Sequence, residues 1–391
     1  MNLSNIKEKI ILAIEEKRDR LFALSQSIFD EPELKFEEHR TAAKLVGELE
    51  NIKGICIQRG VADLETAFIA SLEGSKDRPI IAMLAEYDAL PQIGHGCGHN
   101  LICTSTVGAM WGIAAVIDQF PGKIQVIGTP GEEGGGGKII MQERGSFDGV
   151  DALYAIHPST YYAVGLKTQG MKQVRFRFSG KATHAAYSPD LGRSALEAVI
   201  QTFVNINGMR QFTKEDARIH GIIDEGGKLP NIVPDFASCL FYTRSVDEEY
   251  LDELTQRVEL CAKAAAMSTG TGLEVSSIEG KIYRPMRPNQ VIAQVMRKIL
   301  EEMGITDIEN IPYLPASNDI GTLSHFIPAA RAMLKVCDAK VPMHSQEFAR
   351  VAMSENGREM MILAAKLQAL TAVELLANPD IMKQVKREFA K

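Results

Sequence analysis

Between residues 79 and 157 the chain alternates short apolar runs with a long helical one, and its reactive side chains gather where the apolar runs end. "PIIAMLAEY" (79–87), "KIQVIGT" (123–129) and "DALYAIH" (151–157) read as buried strands. "NLICTSTVGAMWGIAAVIDQF" (100–120) reads as the helix between the first two, with Asn100 as its N-cap. Strands alternating with helices specify an α/β fold built on a doubly wound mixed sheet. In such open sheets, sites form beyond the carboxyl ends of the strands.

Residues 4–27 and 37–50 carry apolar residues at helical spacing and are separated by "DEPEL" (30–34). The texture changes at residue 171. In "MKQVRFRFSG", Val174, Phe176 and Phe178 alternate with Gln173, Arg175 and Arg177, the pattern of a half-exposed strand. A helix (192–209), strands (217–223, 236–243), a helix (247–268) and a strand (272–279) follow. That βαββαβ order predicts a small ferredoxin-like domain, 171–283, inserted into a catalytic domain formed by 1–170 and 284–391.

A chain of 391 residues is long for one core, which agrees with two domains. The 43 Lys and Arg against 50 Asp and Glu leave a net charge of −7 with no basic cluster, which argues against nucleic acid as a partner. The charged N-terminus does not read as a signal peptide. The uncharged apolar stretch Leu101 to Ile117 falls short of the roughly 20 residues of a membrane span, so no membrane association is expected. Six cysteines without paired spacing point to reduced thiols and a cytoplasmic protein.

"GHGCGHN" (94–100) places two of the 8 histidines and one of the 6 cysteines within five residues, in the loop after the strand 79–87. Glu132 and Glu133 follow the strand 123–129, His157 closes the strand 151–157, and His344 follows a run (331–337) that reads as a further strand. Cys97, His99, Glu133, His157 and His344 offer thiolate, imidazole and carboxylate, all metal-ligand chemistries. Five such donors exceed what one tetrahedral ion takes, and so suggest two ions sharing a bridge. Asp88 is then a bridge, or the partner that orients a ligating imidazole. Of two adjacent glutamates, one can bind metal while the other takes a proton from water. Two rival readings are a metal site that only captures a ligand, and Cys97 as a nucleophile paired with His99. The first leaves the second glutamate idle, and the other leaves the glutamates and distant histidines unexplained.

"AEYDALP", "GHGCGHN", "GEEGG", the strand-final "IHP", "HSQEF" and the early "DEPELKFEE" together resemble the dinuclear metal-dependent amidohydrolase and peptidase family. That family includes aminoacylase, hippurate hydrolase, auxin-conjugate hydrolases and p-aminobenzoyl-glutamate hydrolase. The resemblance implies hydrolysis of an amide bond in a small N-acyl amino acid or dipeptide with a free carboxylate. It assigns Cys97, His99, Glu133, His157 and His344 to two divalent ions (zinc or manganese, with cobalt or nickel also suited) and Glu132 to the general base. It makes the inserted domain a lid and a dimer surface, hence a homo-oligomer. There "SGKATHAA" supplies His184 to the reacting carbonyl, in its own or the partner's site, while "PNIVPD" and "YTRS" supply Asn231 and Arg244 for the substrate carboxylate. Glu86-Tyr87-Asp88 and "ASNDIGTLSH" (316–325) resemble the p-aminobenzoyl-glutamate hydrolase and dipeptidase-like branch more closely than the hippurate or auxin enzymes. His95, His220 and His325 receive no role.

Overall fold

The stretch Ile80–Glu86 is buried at six of its seven positions, as a strand covered on both faces must be. It lies inside an eight-stranded sheet whose order is Cys56–Arg59, Phe68–Glu73, Lys123–Thr129, Ile80–Glu86, Ala152–Ser159, Ala329–Lys335, Tyr162–Val164 and Ile308–Glu309. The four strands from Lys123–Thr129 to Ala329–Lys335 run parallel, and Phe68–Glu73 and Cys56–Arg59 extend the sheet antiparallel, so it is mixed. The computed structural model describes residues 3–277, 283–337 and 340–391. They divide into a first unit of Met1–Lys167, Arg287–Pro312 and Thr322–Lys391, which holds this sheet, and a second of Thr168–Met286 and Tyr313–Gly321.

The helix His99–Ala114 is apolar around its whole circumference and is buried at 14 of its 16 positions, so neighbours cover every face. The first of them come from the stretch 4–27, whose helical spacing is realised as two helices. Leu3–Glu15 and Arg18–Phe29 are separate helices, and the bend at Lys17 lets both wrap the central one. Ile10 and Ile14 fit over Gly112, where a Cβ would meet Ile14 at 2.8 Å, and Leu21 fits over Gly108. Asn100 is not the N-cap; Gly98 takes that position, and the Asn100 side chain is buried and donates to Ser25 Oγ. The helix Glu355–Ala377 is long and apolar enough to cross a membrane, but 15 of its 23 residues are buried in the first unit, as in a core helix.

The second unit has an antiparallel sheet ordered Gly272–Ser277, Gly170–Ser179, Phe236–Ser245 and Arg218–Glu225. Helices Ala195–Arg210, capped by Ser194, and Glu248–Thr269, capped by Asp247, cover one face, burying Phe176, Phe178, Cys239 and Phe241. Positions 278–279 of the expected last strand lie outside the described residues. Residues 313–321, expected in the first domain, group with the second unit. Gln169 N–H donates to Ala316 O and Arg244 to Ser317 Oγ, and Gly321 packs on Arg284 O.

Candidate metal centre

The donors are brought together by backbone turns. Gly98 has φ 72°, a left-handed conformation, and a Cβ there would lie 2.9 Å from Pro158 Cγ. Glycine therefore lets Cys97 and His99 approach the end of the strand that carries His157. In the "GEEGGGG" loop a Cβ on Gly137 would strike Pro130 O at 1.7 Å, so that turn also requires glycine.

The ligand atoms of Cys97, His99 and His157 lie within 4.8 Å of one another, and so do those of Cys97, Glu133 and His344. Sulfur belongs to both sets, an arrangement suited to a thiolate shared by two cations. Buried polar atoms ordinarily have partners. Yet His99 Nε2 and Glu133 Oε1 have no hydrogen-bond partner among the described residues and stand 4.0 Å apart, with His344 Nε2 3.7 Å from the same oxygen. Those separations fit an ion held between the donors better than direct contact between them.

The histidine orientations agree. His99 Nδ1–H donates to Asp88 O at 2.8 Å and lies 3.2 Å from Asp88 Oδ1, while His157 Nδ1–H donates to Pro158 O at 2.7 Å. Each ring thus keeps Nε2 for a ligand. Asp88 Oδ2 accepts from Glu133 N at 2.8 Å. Asp88 belongs to no candidate ligand group among the described residues, and its carboxylate stands beside the His99 ring. Glu132 is half-buried, and its carboxylate lies within 4.8 Å of ligand atoms of His99 and Glu133, beside the two sets and outside them.

The electrostatics describe a pocket with surplus negative charge. Burial, then Glu133, pushes the Cys97 thiol far above its ordinary value. Burial alone would lower His99, but Asp88, Glu133 and Glu86 lift it to about 10. Burial and Arg331 pull His157 well below the usual range. A cation reverses the thiol's preference by stabilising the thiolate.

The sequence reading gave no role to the ion pair beneath these donors. Lys138 Nζ lies 2.9 Å from Glu86 Oε1, and both side chains are 1% exposed or less. Arg331, also buried, adds a second positive charge near Glu86. A lysine just after a glycine run suggests a phosphate loop or a surface residue, and neither suggests an internal counter-ion. Removing one partner of a buried pair typically costs about 3–5 kcal/mol. Lys138→Met is expected to lose stability of that order in urea unfolding, and the double variant Glu86→Gln/Lys138→Met to recover much of it.

His95 is 1% exposed, packs 6.3 Å from Phe29, and is pulled down to about 4 by burial. His95 and the half-buried His325 belong to no candidate ligand group among the described residues.

Three predicted residues belong to the second unit. His184 is exposed, and its Nδ1 accepts from Ala186 N and Tyr187 N at 3.2 and 3.1 Å, which places its proton on Nε2. Ala185 N donates to Asn231 O, so the two motifs adjoin. Arg244 donates through Nε to His220 Nε2 at 3.2 Å and through Nη1 to Ser317 Oγ at 2.8 Å. Of five guanidinium donors, three have no partner among the described residues.

Soft and hard donors converging at strand ends, with a spare carboxylate at their side, are what a metal-dependent hydrolase of amide bonds requires. Comparison with known proteins agrees: residues 82–366 match peptidase family M20/M25/M40, and the chain belongs to that family. It is 33% identical to mouse (Mus musculus) Xaa-Arg dipeptidase over 402 residues, covering 99% of this chain and 93% of that protein. It is 30% identical to a p-aminobenzoyl-glutamate hydrolase polypeptide from Escherichia coli K12 over 452 residues, covering 96% and 93%. A Bacillus subtilis structure described as a dinuclear metal binding peptidase from the M20 family shares the fold, with a TM-score of 0.75 at 21% identity over 93% of this chain and 99% of that one. The chain is thus a metal-dependent amide or peptide hydrolase.

Proposed function

We propose that the protein hydrolyses the amide bond of a small dipeptide or N-acyl amino acid bearing a free carboxylate, using two divalent ions, zinc or manganese. The observation that carries this reading is the pair of ligand sets sharing Cys97 with Glu132 beside them. The named activities of the relatives, a dipeptidase and an aminobenzoyl-glutamate hydrolase, support the substrate class.

Bound ions would polarise the scissile carbonyl and acidify the attacking water. Glu132 takes that water's proton and later delivers it to the leaving amine. His184, with its proton on Nε2, is a donor suited to the developing oxyanion. Arg244, steadied by His220 and Ser317, offers donors for the substrate carboxylate, with Asn231 beside it in role. The second unit thereby serves as a lid, in its own protomer or its partner's. Assaying dipeptides and acyl amino acids against their C-terminal amides tests the reading. Free acids are expected to be turned over and amides poorly, whereas equal turnover would remove the carboxylate from the proposal.

We also propose a cytoplasmic homodimer formed through the second unit. Among the described residues Arg218–Glu225 pairs on one side only, and Ile222 and Ile223 on it are 61% and 46% exposed, as are Ile200 and Val204 on the helix Ala195–Arg210 at 41% and 54%. An open edge with apolar side chains invites pairing with another copy. Light scattering is expected to give the mass of a dimer, or of a tetramer built from it. Val204→Glu/Ile223→Glu should give that of a folded monomer.

A further inference from the structure

We propose that Glu38 is a positioning residue for the general base, its buried carboxylate holding the loop that carries Glu132. The inference rests on the reading of Glu132 as that base.

Glu38 is fully buried. Its Oε1 accepts from Gly131 N and from Phe36 N, both at 2.9 Å, and its Oε2 accepts from Thr66 Oγ1 at 2.9 Å. Gly131 directly precedes Glu132. Thr66 O in turn accepts from Tyr87 OH at 2.6 Å, and Ala89 N donates to Glu33 O at 2.8 Å. The segment 33–38 is therefore fastened to both strand-end loops of the site, the one through Asp88 and the one through Glu132.

Phe36 shows that this fastening is built at a cost. Its φ is 65°, a left-handed conformation that a bulky side chain seldom takes. The conformation lays the ring against the glutamate loop. A Cβ on Gly131 would come within 2.8 Å of the ring, and one on Gly135 within 2.7 Å. Glu38 captures the Phe36 N–H and so holds the strained turn in place. Burying a carboxylate is expensive, and an apolar residue would pack this spot at less cost if no donor had to be held. Three donors converge here, and a carboxylate can accept from all of them.

Charge and reach can be separated by two substitutions. Glu38→Gln keeps the length and the Oε1 acceptor but has no charge. Glu38→Asp keeps the charge but ends one methylene short of Gly131. Both, with Glu132→Gln, are to be compared as ion-loaded enzymes by kcat, KM, ion content and hydrogen exchange of the amides of residues 131–137. Glu38→Asp is expected to lower kcat by about 10–100-fold, because small misplacements of a reacting group cost that much. Its KM and ion content should hold while those amides exchange faster. Glu38→Gln should resemble wild type in both rate and exchange. Wild-type kcat or unchanged exchange in Glu38→Asp would overturn the proposal, as would a Glu38→Gln enzyme as slow as Glu38→Asp. If Glu132→Gln keeps its turnover, the assignment of the base fails. If it is dead while Glu38→Asp is unimpaired, the base stands and the positioning inference fails.

Discussion

Glu132→Gln is expected to lower kcat by about 10²–10⁴-fold, the range general acid–base catalysis contributes, while the protein keeps its ions. The expectation follows from where the side chain stands. Glu132 lies near His99 of one ligand set and Glu133 of the other but belongs to neither. Glutamine preserves its shape and cannot take a proton from water. Kinetics on a dipeptide panel with elemental analysis of the same samples checks both halves. A variant that loses its ions along with its rate would make Glu132 a ligand, and one that keeps its rate would leave the base to be sought elsewhere.

The second large effect is expected from Cys97→Ala. Because one sulfur belongs to both groups of donors, its loss removes a ligand from each and leaves His99 with His157 and Glu133 with His344. Both ions should be lost or weakly held, and turnover should fall below detection. Stability should respond as well. A ligand that binds only the native state adds about 4 kcal/mol at a thousandfold excess over its Kd. Added zinc or manganese should therefore raise the Tm of the wild type and leave that of Cys97→Ala nearly unchanged. Two tightly held ions in the alanine variant would refute a shared sulfur.

The strand-end logic explains why much of this was legible beforehand. Each of the three strands read as apolar runs is observed within two residues of its expected limits, because strands buried largely on both faces are predominantly apolar. The five proposed ligands meet in space because the sheet brings their strand ends together. Other features resisted reading for physical reasons. Nothing local distinguishes Lys138 or Arg331 from surface cations; only the fold reveals that a buried acid awaits them. The break at Lys17 has no glycine or proline to announce it and arises from wrapping a central helix. Asn100 has capping chemistry, but glycine's left-handed turn lies closer to the ligands and took the position. Residues 313–321 join the second unit through contacts between segments far apart in the chain, which no periodicity records.

The helix that begins at His99 has a consequence for how such a protein could change. Its first residue is a proposed ligand, and further along Gly108 and Gly112 admit their neighbours so closely that even a methyl group would collide. Variation there would disrupt the interior and the ion grip in one stroke. A laboratory selection for new substrates should therefore leave residues 98–112 untouched and accumulate its accepted replacements on the second unit and the surface loops, so that preference drifts while the hydrolytic machinery stays fixed.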